Sequence, residues 1–140
     1  MIVLDTDYVS LWLRGNLTVR SKVTQPSFSV VITVIWSARD FQWMGRVINN
    51  LPIQSNLPAE HENLWQSIEF IRNFPVLKFD QNADNCYVQI LQANPSLRKK
   101  RLRQDLRIAA IALSVDATVV TRNRRDFEQV PGLKIADWTI

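Results

Sequence analysis

The sequence predicts an α/β fold with a central, mostly parallel sheet covered by helices on both faces. Three observations predict it. Short apolar runs rich in β-branched residues alternate with amphipathic segments of helical period along all 140 residues, the pattern of repeated strand–helix units. The runs are apolar throughout rather than apolar and polar by turns, as expected of strands buried on both sides. No internal repeat, low-complexity tract or Gly/Ser linker interrupts them, so residues 1–140 read as a single domain long enough to bury its own core.

Each element follows from local chemistry. "MIVLD" is a short apolar run ending in an acid and reads as a buried strand. "DTDYVSLWLRG" reads as a short helix with Thr6 or Asp7 as its N-cap and Gly15 as its stop. "FSVVITVIW" is the clearest central strand. In "AEHENLWQSIEFIRNF", Leu64, Ile68 and Ile71 share a helical face and Pro75 closes it. "VLKFD" is another strand, and "ADNCYVQILQAN" a helix stopped before Pro95. The segment "RLRQDLRIAAIAL" is a helix whose apolar face carries Ile108, Ala109 and Ala112. "TVVTRN" is a strand with a polar end, "RDFEQV" a turn or short helix, and "LKIADW" a last strand after the break at Pro131 and Gly132.

Composition narrows the function classes. The 46% hydrophobic and 21% charged content suits a globular domain. No apolar run approaches the roughly 18–20 residues that span a bilayer, and the N-terminus lacks the basic start and apolar stretch of a signal peptide. The lone Cys86 forms no internal disulfide and reads as a buried structural thiol, which suits the cytoplasm. The net charge of +4 is concentrated. Six of the ten residues from Arg98 to Arg107 are basic, and Arg122, Arg124 and Arg125 follow. Such a run is either a solvated surface or a face for a polyanion, of which nucleic acid is the first choice.

The carboxylates give the run a context. In an open parallel sheet, sites form beyond the carboxyl ends of the strands. Asp5 ends the first strand, Asp126 follows "TVVT" with Asn123 between, and Asp105 begins the helix that feeds that strand. On a helix, Asp105 shares the apolar face with Ile108, Ala109 and Ala112, so it points inward, where a carboxylate requires a partner. Each acid also has a plain structural account: Asp5 or Asp7 as a helix cap, Asn123 as a cap with Asp126 in its first turn, Asp105 against a helix dipole. Clustered, they imply a cation, and an oxygen-only site suits Mg²⁺ or Mn²⁺. The only histidine, His61, lies at a polar helix start and reads as solvated. With no histidine partner and no G-x-G pattern among three glycines, triad and phosphate-loop chemistry are excluded. Acids holding a divalent cation beside a basic patch suggest metal-assisted attack on a phosphodiester.

At this point the ordered set "LDTD", "DLRIAAIAL" and "TRNRRDF…PGL" resembles the PIN domain, and more narrowly the VapC-type toxins of toxin–antitoxin pairs. "VLKFDQNADNCYVQIL" resembles the family segment before the third acid, and the resemblance covers nearly the whole chain. It implies a three-layer α/β/α fold and a Mg²⁺- or Mn²⁺-dependent ribonuclease, dimeric and silenced by a cognate antitoxin. Carried over by position, Asp5, Asp105 and Asp126 would be the metal-binding catalytic acids, with Thr6 and Asn123 supporting them. Arg101, Arg103, Arg107 and Arg124 would face RNA.

Two departures from the family pattern stand out. Where relatives carry a glutamate after the second strand, this chain has Trp36. Asp40 is the first acid available to replace it as a metal ligand, and it reads equally as an exposed helix residue beside Arg39. In "RLRQD", Leu102 and Arg103 stand where relatives often have glycine, which suggests a helix that begins earlier or a stiffer approach to the site. Trp12, Trp36, Trp43 and Trp65 read as core or interface residues. The competing functions are a catalytically impaired PIN-fold module that binds RNA or protein, and a receiver-like domain using Asp5. The second is disfavoured because Lys134 alone is thin support for its lysine.

Overall fold

A computed structural model describes residues 1–13, 16–26, 29–35 and 56–139. The expectations for Gly15, Trp36, Asp40 and Trp43 lie outside these residues. Among the described residues, five strands form one sheet: β1 (Ile2–Leu4), β2 (Val30–Thr33), β3 (Val76–Leu77), β4 (Thr118–Val120) and β5 (Lys134–Ala136). Their order is β3-β2-β1-β4-β5 and every pairing is parallel. The helices are α1 (Thr6–Leu13), α2 (Leu17–Val23), α3 (Leu57–Arg72), α4 (Gln81–Ala93), α5 (Arg103–Ser114) and α6 (Arg124–Phe127).

Strand pleating sorts the core into two halves. Val3, Val31 and Val119 point to one face, where they pack with Ile90 of α4 and Leu106, Ala109 and Ala110 of α5. Their neighbours Leu4, Val30, Ile32 and Val120 point to the other, against Tyr8 and Val9 of α1 and Val19 and Val23 of α2. Burial on both faces is why these strands read as unbroken apolar runs. The α/β/α layering expected from the sequence is the one observed.

Local signals set the helix ends. Asn16 caps α2, its side chain accepting from Val19 N at 3.0 Å, and Asp80 caps α4 in the same way from Ala83 N at 2.9 Å. Helix α4 therefore starts at Gln81, and the expected strand "VLKFD" shortens to Val76–Leu77 because its last acid serves as a cap. Two 3₁₀ turns, Pro95–Leu97 and Lys100–Leu102, bury Leu97 and Leu102 and lead into α5. Helical structure thus does begin ahead of Asp105, and Leu102 anchors it. Helix α5 closes with Asp116 at φ 54°, a left-handed position that aspartate tolerates, while Ala117 N donates to Ala112 O at 2.9 Å.

Two expectations need correction. Of the two readings of Trp65, core or interface, the core one fails, because the residue is 54% exposed on α3. Cys86 is half-buried at the edge of the α4–α5 core rather than sealed inside it. Among the described residues, no helix is long and apolar enough to cross a membrane.

Candidate active site

The site forms where β1 and β4 end side by side. The register pairs Leu4 with Val120, so Asp5 and Thr121 are the next residues out on adjacent strands. Backbone bonds fix both: Asp5 N donates to Val120 O at 3.0 Å, and Thr121 N to Ala136 O at 2.9 Å. Asp5 is 3% exposed and Thr121 fully buried. Thr121 Oγ1 donates to Asp5 Oδ2 at 2.7 Å and accepts from Asn123 N at 2.9 Å. One hydroxyl therefore meets a buried carboxylate and also fixes the loop that carries Asn123.

Asn123 holds the next two acids. Its Nδ2 donates to Asp105 Oδ2 at 3.1 Å and to Asp126 Oδ2 at 2.9 Å. Asn123 does stand at the N-cap position of α6, its carbonyl accepting from Phe127 N at 3.3 Å, but its side chain makes no capping bond and is given to the carboxylates. Asp105 sits in the first turn of α5 and is half-buried, at the mouth of the apolar face rather than beneath it. Asp126 is nearly buried, and Arg101 Nη1 bridges its oxygens at 3.0 and 3.1 Å. Burial disfavours the charged form of Asp126. The hydrogen bonds from Asn123 and Arg101, with the charges of Arg101 and Arg125, outweigh it and hold the carboxyl below its usual range.

Asp5, Asp105 and Asn123 line an open cleft of about 840 Å³ together with Asp7, Gln104, Lys100, Arg101, Arg103 and Arg107. Carboxylates and cations thus share one cleft, which concentrates both signs of charge in a small space. Arg124 is not on that wall; its Nε pairs with Glu128 Oε1 at 3.1 Å on the outer face of α6. Thr6 opens α1 directly after Asp5. The available donors are carboxylate and carboxamide oxygens, the hard set that Mg²⁺ and Mn²⁺ prefer. Among the described residues no three acidic, histidine or cysteine side chains gather into a metal-holding group. Asp5, Asp7 and Asp105 are the carboxylates that line the cleft, and Asn123 sits beside them.

Thr121 was not singled out from the sequence. A threonine at a strand end reads as ordinary β-propensity, and its only signal was its place in "TRN" next to Asn123.

No family model matches the chain, and no curated protein sequence matches it. Solved structures do. A chain of the DNA-bound VapBC from Salmonella typhimurium is 26% identical, with 98% of this chain and 97% of that one covered and a TM-score of 0.75. A chain of FitAcB from Neisseria gonorrhoeae is 26% identical, with 99% of each chain covered and a TM-score of 0.73. A chain of VapBC2 from Rickettsia felis, bound to a DNA fragment from its promoter, shares the fold at 18% identity, 99% coverage of each chain and a TM-score of 0.77. The fold is PIN-like, as it is in these structures. Within that class, the chain is similar over its whole length to VapC-type toxins of the VapBC toxin–antitoxin systems.

Proposed function

We propose that the protein is a metal-dependent endoribonuclease acting as the toxin of a VapBC-type pair. One observation carries the reading: Asp5 and Asp105, brought from strand β1 and helix α5, open into a single cleft rimmed by Lys100, Arg101, Arg103 and Arg107. Asp5 and Asp105 would hold Mg²⁺ or Mn²⁺, which supplies an activated water and neutralises charge developing on the phosphodiester. Thr121 and Asn123 aim the two carboxylates, and the rim cations bind the RNA backbone. The similarity to chains of VapBC and FitAB complexes supports a cognate antitoxin as partner. A homodimer in the cytoplasm completes the proposal.

The test is cleavage of RNA with Mg²⁺ or Mn²⁺, comparing the wild type with Asp105→Asn. Metal-dependent cleavage by the wild type, lost in the variant, is the expected result. Absence of cleavage by a folded wild type overturns it. Asp40→Ala in the same assay decides whether Asp40 replaces the family glutamate: lost activity supports the replacement, and unchanged activity means that Asp40 is not a ligand. A second reading, an impaired PIN-fold module that binds RNA or protein, is favoured by one fact: Asp126 is engaged by Arg101 and Asn123. RNA binding without cleavage would establish it.

A further inference from the structure

Asp126 differs from the other two acids in what surrounds it. Both its oxygens are engaged, Oδ1 by Arg101 Nη1 at 3.0 Å and Oδ2 by the same nitrogen at 3.1 Å and by Asn123 Nδ2 at 2.9 Å. A single guanidinium nitrogen lies between the two oxygens, where a chelated cation would sit, and it brings a full positive charge. The side chain of Asp126 is 12% exposed and does not line the cleft, whereas the 56% exposed side chain of Arg101 does.

Arginine is suited to a double role. It carries five donors in a rigid plane, so one edge can be anchored while another binds an oxyanion. All the hydrogen bonds that Arg101 makes among the described residues run through Nη1, leaving Nε and Nη2 for a ligand. Anchoring by a nearly buried carboxylate also removes much of the rotamer freedom that a lone surface arginine loses on binding.

We infer that Asp126 is a positioning residue for Arg101 rather than a holder of the divalent cation, and that Arg101 so placed grips a non-bridging phosphate oxygen of RNA at the cleft rim. This rests on the RNA-directed reading of the site, and it divides the acids into two sets: Asp5 and Asp105 for the cation, Asp126 for the arginine.

The experiment uses the full chain and two probes, Mn²⁺ alone by calorimetry and a labelled single-stranded oligouridine in EDTA by fluorescence anisotropy. Asp126→Asn should keep Mn²⁺ affinity within about threefold of the wild type, while Asp105→Asn loses it by about tenfold or more. In the wild-type background, Arg101→Ala should lower oligouridine affinity about tenfold and reduce the salt slope by about 0.7. In the Asp126→Asn background, the same change should cost about threefold or less, because the two residues act as one unit. A tenfold loss of Mn²⁺ binding in Asp126→Asn overturns the inference. So does an equal cost of Arg101→Ala in both backgrounds, or a wild type that fails to bind oligouridine in EDTA. Should Asp126→Asn not fold, Arg101→Lys decides: its ammonium cannot serve both partners, so an affinity near that of Arg101→Ala is expected and full retention overturns the inference. Cleavage by the wild type is scored separately and decides the ribonuclease reading alone.

Discussion

Thr121 Oγ1 donates a 2.7 Å hydrogen bond to Asp5 Oδ2 across the ends of two neighbouring parallel strands. The bond is buried, and Thr121 takes a second bond from Asn123 N, so a single hydroxyl couples two cleft residues. Replacing it with a methyl leaves Asp5 short of a donor. Thr121→Val should cost about 1–3 kcal/mol in stability and lower cleavage by about 10- to 100-fold. Thr121→Ser should restore most of both. Denaturant melts and RNA cleavage rates check this, and full activity in the valine variant would remove the hydroxyl from the site.

A second prediction concerns acid and base. Tyr8 donates a short hydrogen bond to Asp137 and accepts from Trp138 N at 2.6 Å, stapling the segment after β5 onto α1. Burial raises the cost of charging Asp137, but hydrogen bonds from Thr139 and Tyr8 prevail and lower its pKa from 3.8. A depressed carboxyl stabilises the fold above its unfolded value and loses that contribution as pH falls through the folded one. Stability should therefore drop as pH falls below about 3.8, and Asp137→Asn should flatten that part of the curve. Tyr8 is shifted the other way, chiefly by burial and then by Asp137, from 10.0 upward. Its contribution is present below pH 10.0 and lost above it, and Tyr8→Phe should remove the alkaline slope. Chemical denaturation across pH measures both.

Helix α5 lies close on the sheet because Ala109, Ala110 and Ala112 are fully buried there. Ala109→Leu should destabilise by about 1–3 kcal/mol through overpacking. Asp105 is one helical turn before Ala109, so Mn²⁺ affinity should fall as well. Thermal unfolding and calorimetry on the same sample would show the two effects together.

Helix α4 depends on its cap. Asp80→Ala should lose about 1 kcal/mol, because the amide of Ala83 then has no side-chain acceptor. Asp80→Asn should retain most of the stability, as measured by urea midpoint.

Much of this architecture was readable in advance, for identifiable reasons. Strands buried on both faces leave unbroken apolar runs, and Asp5 stands out because it terminates one of them. Helical period places Asp105 on the inner face of its helix, although its half-exposed position reflects the open end of the layer rather than the core. What escaped was direction. Whether the Asn123 side chain caps α6 or reaches two carboxylates depends on a loop that Thr121 shapes, and neither spacing nor propensity encodes that. Arg124 and Arg101 look alike in sequence, but Glu128 lies one turn after the first and Asp126 lies across space from the second. Tertiary placement alone separates them.

The parallel order with β1 at the centre has a consequence for the making of the protein. Asp5 emerges from the ribosome 116 residues before its hydroxyl partner Thr121. Strand β1 can pair with β2 early, but the edge that meets β4 must wait through most of translation. No shorter nascent chain contains the carboxylate, the hydroxyl and the asparagine together. The cleft is therefore assembled as one of the last acts of folding, and a ribosome that stalls before β4 releases a chain in which the chemistry has not yet been put together.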